Sequence, residues 1–171
     1  MKRVLYMIRT SNGFSLIEFL IAITVLAILA GVVIAYTDPF TQMKKAQDAR
    51  RKSDLAQIRA GLEQYYKDNG VYPVSTAGSA EKPYRITGFK VDHAIIDWGE
   101  EWQPYMQVLP KDSVGRNYVY YASSGRQAYW LYASLEREGL DIDSSILANG
   151  IDTIACGKVC NYSVSSPNVS P

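Results

Sequence analysis

The side chains that most often do chemistry are sparse in this chain. It has one histidine, His93, and two cysteines, Cys156 and Cys160. Its serines and carboxylates fall into no spacing that joins a nucleophile to a base, and it has no glycine-rich phosphate loop. The pattern therefore argues against an enzyme. One carboxylate stands out. Glu18 is the single charge in an otherwise uncharged run from Phe14 to Thr37. A charge within a membrane segment costs up to ~3 kcal/mol at the bilayer centre and less near the edge, so it persists where something pairs with it. Nothing upstream in that run is a permanent partner. Cleavage after Gly13 would create one, because the α-amino group of Phe14 in one copy could meet Glu18 of the next. The plainer reading is a glutamate favoured by the helix dipole, or one snorkelling to the headgroups.

Cys156 and Cys160 lie four apart in a glycine-containing loop. Outside the cytoplasm such a pair is expected as a disulfide, and closing so small a loop stabilises by about 2 kcal/mol in the chain-entropy picture. Zinc would need more ligands than two cysteines and one remote histidine supply.

The elements that position these residues can be read in order. The 24 residues from Phe14 to Thr37 would form a helix of ~36 Å, enough to cross a ~30 Å hydrocarbon core with some tilt. Lys2, Arg3 and Arg9 precede it, so a leader of residues 1–13 stays cytoplasmic and the rest lies outside. A secretory signal peptide cut near Ala35 competes, but the apolar run exceeds a usual h-region of 7–15 residues and the early glutamate is out of place there. Asp38-Pro39 then punctuates the helix, with Thr37 or Asp38 capping the restart. Residues 38–68 turn amphipathic, with Leu55, Ile58, Leu62 and Tyr65 on one stripe. Lys44, Lys45, Arg50, Arg51 and Lys52, interleaved with Asp48 and Asp54, read as a solvated face rather than a nucleic-acid or lipid surface.

Asp68-Asn69-Gly70 ends that helix and opens an extracytoplasmic domain of residues 69–171. Residues 74–92 read as a connecting loop, and 94–112 as the site of a short helix ending before Pro110. The aromatic-rich runs 117–121 and 127–135 flank Ser123-Ser124-Gly125-Arg126 and predict a hairpin, with a third strand at 161–165. Tyr105, Tyr118, Tyr120, Tyr121, Tyr129 and Tyr132 are expected to pack over the helix stripe rather than to form a carbohydrate platform.

Gly13-Phe14-Ser15-Leu16-Ile17-Glu18 behind a basic leader resembles the processing site of type IV prepilins and type II secretion pseudopilins. The segment 45–73 resembles the exposed half of the pilin helix and its exit, and 104–112 resembles the stretch of the major pseudopilin that leads into its sheet. The resemblance implies an α+β, pilin-like fold, with a long N-terminal helix packed on a small antiparallel sheet. It implies cleavage after Gly13 and methylation of Phe14 by a prepilin peptidase, and subunit docking guided by Glu18. The implied partners are copies of the chain, related minor pilins, the peptidase, an inner-membrane assembly platform and membrane lipid. Pilin-like helices often loosen at a Gly or Pro, for which Gly31 and Pro39 are candidates. Major pseudopilins hold calcium in a loop after the hairpin. Glu138, Asp141 and Asp143 fall at a comparable place; the family's acidic-glycine pattern is not reproduced, which leaves no assigned metal site and Asp141 and Asp143 as weak calcium candidates.

The whole chain carries 18 basic and 17 acidic residues. Losing the leader leaves 15 against 17, which gives no electrostatic footprint for nucleic acid. Leu109-Pro110-Lys111-Asp112 leans toward a secretion pseudopilin, and the long C-terminal tail with its cysteines leans toward a pilus. The alternative of another class is a single-pass anchored binding domain that does not polymerise.

Overall fold

A computed structural model describes residues 13–76, 82–88, 94–113, 115–137 and 141–169. The leader before Gly13, His93 and Glu138 lie outside the described residues. The chain divides into two units, Met1–Gln42 and Met43–Pro171.

In the first unit, helix α1 (Leu16–Thr37) is apolar on every side, and none of the stretch Leu16–Ile34 is buried. A helix with no polar face suits lipid or a filament core, not water. It stops at Asp38, whose φ of 38° and ψ of 72° are left-handed. Helix α2 (Pro39–Asn69) starts at the next residue. Pro39 suits that first position because it has no N–H to leave unsatisfied. The Asp38 carboxylate accepts the Thr41 backbone N–H at 3.3 Å and the Thr41 hydroxyl at 2.6 Å, so one side chain ends one helix and caps the other.

The second unit is built on the rest of α2. Its stripe of Leu55, Ile58, Gly61, Leu62 and Tyr65 is buried, as the spacing predicts. Gly61 is needed for closeness. A Cβ there would lie 3.0 Å from both Trp102 and Met106 side-chain carbons. Gly70, with φ 71°, ends the helix and donates its N–H to Tyr66 O at 2.7 Å.

Strands β3 (Val119–Ala122), β4 (Tyr129–Ala133) and β5 (Tyr162–Ser165) form an antiparallel sheet in that order. The hairpin turns at Ser123–Arg126, and Tyr120 pairs with Leu131 and Leu131 with Val164. Alternation along the strands separates two cores. Tyr118, Tyr120, Tyr129, Leu131 and Ala133 pack with the α2 stripe, while Val119 and Tyr132 pack with Ile146, Ile151, Cys156 and Cys160. The architecture is α+β, with an apolar N-terminal helix and a small antiparallel sheet.

Three local expectations need correction, one of which concerns Tyr121 and Tyr132: both lie in or against the second core rather than over the α2 stripe. The segment 94–112 holds no helix but strand β2 (Ile95–Ile96) and a series of turns. Gly99 sits at φ 94°, which no α-helix admits, and Pro104 lies inside a turn closed by a Trp102–Met106 bridge. These turns bury Trp98, Trp102 and Leu109 together. The loop 74–92 contains strand β1 (Ile86–Thr87), antiparallel to β2. A short helix, α3 (Ser144–Ala148), lies between β4 and β5.

Candidate functional site

The N-terminal feature is assembled from residues 13–18. Ser15 is the N-cap of α1, with φ −70° and ψ 142°, yet its side chain makes no cap hydrogen bond. Its carbonyl accepts the Phe19 N–H at 3.1 Å, while the N–H groups of the first turn have no partner within the helix. Glu18 falls in that turn, where a negative charge is favoured by the helix dipole. Phe14 and Glu18 are exposed, and a Cβ built on Gly13 would meet nothing within 4 Å among the described residues.

A second feature was not anticipated. Arg51, read from sequence as part of a solvated face, is only 2% exposed, and Asp48 and Asp54 are buried with it. Arg51 Nε donates to both Asp112 oxygens at 3.1 and 2.9 Å, and Nη1 donates to Asp48 at 3.3 Å. Asp48 also accepts the backbone N–H groups of Glu136 and Arg137 at 2.7 and 3.1 Å. Glu136 Oε1 lies 2.6 Å from Arg116 Nη2, and Arg116 Nη1 donates to Ser134 O and Oγ at 2.8 and 2.7 Å. This network clamps α2 to the loops before β3 and after β4. Its buried charges are compensated, as charges out of water must be. Carrying the spacing of Leu55 and Ile58 back along the helix lands on Arg51 and Asp48. That was the legible signal.

Further along α2, Glu63 accepts the hydroxyls of Tyr72 at 3.2 Å and Tyr129 at 3.0 Å. Burial first, and then the Glu63 charge, push both phenols well above their ordinary value. Tyr118, also pushed up by burial and then by its hydrogen bond to Asp54, donates to that carboxylate at 2.6 Å. The tyrosines that pack over the stripe therefore also anchor the helix.

The structure joins Cys156 to Cys160, with Cα atoms 5.5 Å apart and both residues fully buried. Asp143 is occupied locally. Its Oδ1 accepts the Ser145 N–H at 3.0 Å and the Ser145 hydroxyl at 2.6 Å, capping α3, and its Oδ2 accepts the Ser163 hydroxyl at 2.6 Å. Asp141 is exposed, and no cluster of three or more metal-ligating side chains occurs among the described residues.

Residues 8–34 match the family described as prokaryotic N-terminal methylation motif, and residues 39–141 match type II secretion system (T2SS), protein G. The chain is 29% identical over 141 residues to the type II secretion system core protein G of Pseudomonas aeruginosa, covering 81% of this chain and 94% of that protein. It is 28% identical over 110 residues to the protein of the same name from Aeromonas hydrophila, covering 64% and 72%. A third, from Vibrio cholerae, is 28% identical over 112 residues, covering 66% and 71%. No solved structure matches the chain significantly. The methylation motif covers the exposed apolar helix with its lone carboxylate, and the second match spans more than half the chain, so this chain belongs to the type II secretion system protein G family.

Proposed function

We propose that this chain is a structural subunit of a type II secretion pseudopilus. A peptidase cuts after Gly13 and Phe14 becomes the methylated N-terminus. The subunit waits in the cytoplasmic membrane, held by α1 with its sheet domain outside, and is then drawn into a helical filament. The observation that carries the reading is the lone Glu18 in the first turn of a helix that is otherwise apolar and exposed on all sides. Such a helix is stable only in lipid or against other copies of itself, and Glu18 supplies the counter-charge for the Phe14 amine of a neighbour. The protein G matches favour a secretion pseudopilus over a type IV pilus.

The partners in this reading are copies of the chain, related minor subunits, the prepilin peptidase, the membrane assembly platform and lipid. Neither nucleic acid nor a catalytic role belongs to it, and calcium is not needed to hold the domain. Intact-mass measurement of protein from the membrane fraction tests it. The mass of a chain starting at methylated Phe14 is expected. An uncut chain starting at Met1 would instead indicate an anchored binding domain that does not polymerise.

A further inference from the structure

The disulfide loop lies in close backbone contact with the segment that carries Arg116 of the α2 clamp. Gly157 lies inside the Cys156–Cys160 loop at φ 79°, and a Cβ there would collide with Gly115 O and lie 2.9 Å from Arg116 Cα. The neighbouring Asn117 N–H donates to Cys156 O at 2.9 Å. The loop is therefore seated on residues 115–117. Arg116 is the member of that segment whose guanidinium enters the clamp, holding Ser134 and Glu136, whose own N–H is held by Asp48 of α2.

From this geometry we propose that the Cys156–Cys160 bond is a redox-set positioning device for helix α2. Closing the bond seats Gly157 on Gly115–Arg116, which aims Arg116 at Glu136 and tightens the 134–137 segment onto Asp48 and Arg51. In the closing step each thiol gives up one proton and one electron. The two sulfurs form the Sγ–Sγ bond, and a disulfide-bearing oxidant takes both electrons and both protons by thiol–disulfide exchange and leaves as a dithiol.

Reduction reverses the sequence. Two thiols need van der Waals separation rather than a bond. Both cysteines are fully buried against Val119, Tyr132 and Ile146, so a widened loop presses on the backbone it already touches, Gly115–Asn117 beside Cys156 and Gly157, and Asp143, whose N–H donates to Cys160 O. Arg116 and Gly157 are positioning residues in this scheme. The place where the oxidant is met, outside the cytoplasm, rests on the function proposed above. The coupling from loop to helix rests on the fold alone.

The test is amide hydrogen exchange on the full-length protein in detergent micelles, oxidised and after treatment with a phosphine reductant. Reduction is expected to speed exchange at Glu136 and Arg137, the two donors to Asp48, by about tenfold or more, leaving the amides of β4 unchanged, as for a local opening. Gly157→Ala with its disulfide intact is expected to give the same local pattern. Unchanged exchange at Glu136 and Arg137 on reduction would overturn the proposal. So would a uniform rise that includes β4, which marks general destabilisation, or wild-type protection in folded Gly157→Ala. Should Gly157→Ala fail to fold, the comparison of reduced and oxidised wild type decides alone.

Discussion

The carboxylate of Asp48 accepts the backbone N–H of Glu136 at 2.7 Å across 88 residues of sequence. The same carboxylate holds Arg51, one turn further along α2. A residue at the start of the second unit thus organises both its own helix and the loop that follows the central strand. The contact lies among buried charges, so its loss differs in kind from loss of a surface ion pair.

Asp48→Ala is expected to lower stability by about 3 kcal/mol, because it strands two backbone N–H groups and leaves Arg51 with less counter-charge in a buried setting. Arg50→Ala is the control. Arg50 lies 3.9 Å from Asp54 with its side chain 75% exposed. Its removal should change stability by less than about 0.5 kcal/mol. Urea unfolding of both variants in the same detergent measures the difference, and equal losses would refute the clamp.

Stability should hold steady through neutral pH and fall once pH passes about 10, as the buried tyrosines titrate in the unfolded chain. Tyr118, Tyr120 and Tyr129 all have phenols raised above the ordinary 10.0, by burial first. The sign follows from proton counts. Above that pH the unfolded chain releases phenolic protons that the folded chain keeps, so the unfolded state binds fewer and stability declines as pH rises. Urea midpoints across the alkaline range check it. A midpoint that stays flat through about pH 11 would mean these phenols ionise freely while folded.

Much of this arrangement was legible because it is local. Leu55, Ile58, Leu62 and Tyr65 declare a helix face by spacing alone, and Ser123–Arg126 declares a turn between two β-prone runs. The apolar run with Glu18 is equally plain. The charged clamp was hidden because Arg51 meets Asp112 61 residues away, and a run of lysines and arginines looks solvated until that partner is known. The segment 94–112 misled for a related reason. Trp98, Trp102 and Leu109 have spacings compatible with one helical face, but Gly99 and Pro104 impose turns, and burial of both indoles in the common core outweighs helix propensity. Strand β1 is two residues long, too short for any periodic signal.

Chelation of divalent cations should leave the melting temperature within about 1 °C of its value in calcium, since a ligand stabilises only a state that binds it. The argument lies in Asp143, whose two oxygens already accept three hydrogen bonds from Ser145 and Ser163. Its Oδ1 is filled by the α3 cap, which leaves a single acceptor position on Oδ2 for a cation. A melting temperature that drops by several degrees in chelator and returns with calcium would show that the 136–143 segment is a metal loop after all.

Replacing Glu18 should separate insertion from assembly. Glu18→Ala makes α1 more apolar, so membrane insertion is expected to be retained. The sheet domain is expected to fold unchanged, because its cores are built from residues 55 onward and none of their members lies in α1. Filament formation is expected to fail. In an apolar filament core the Phe14 amine of each subunit would lose its counter-charge, and an unpaired buried charge costs several kcal/mol at a contact that recurs with every subunit added. Glu18→Gln keeps the shape of the side chain and removes only the charge, so it should fail as well if charge pairing is the cause. Cross-linked subunit ladders, measured at matched membrane abundance, give the answer. Wild-type ladders from both variants would reduce Glu18 to a residue that merely suits the start of a helix, and ladders from Glu18→Gln alone would mean that a hydrogen bond, not a charge, joins the subunits.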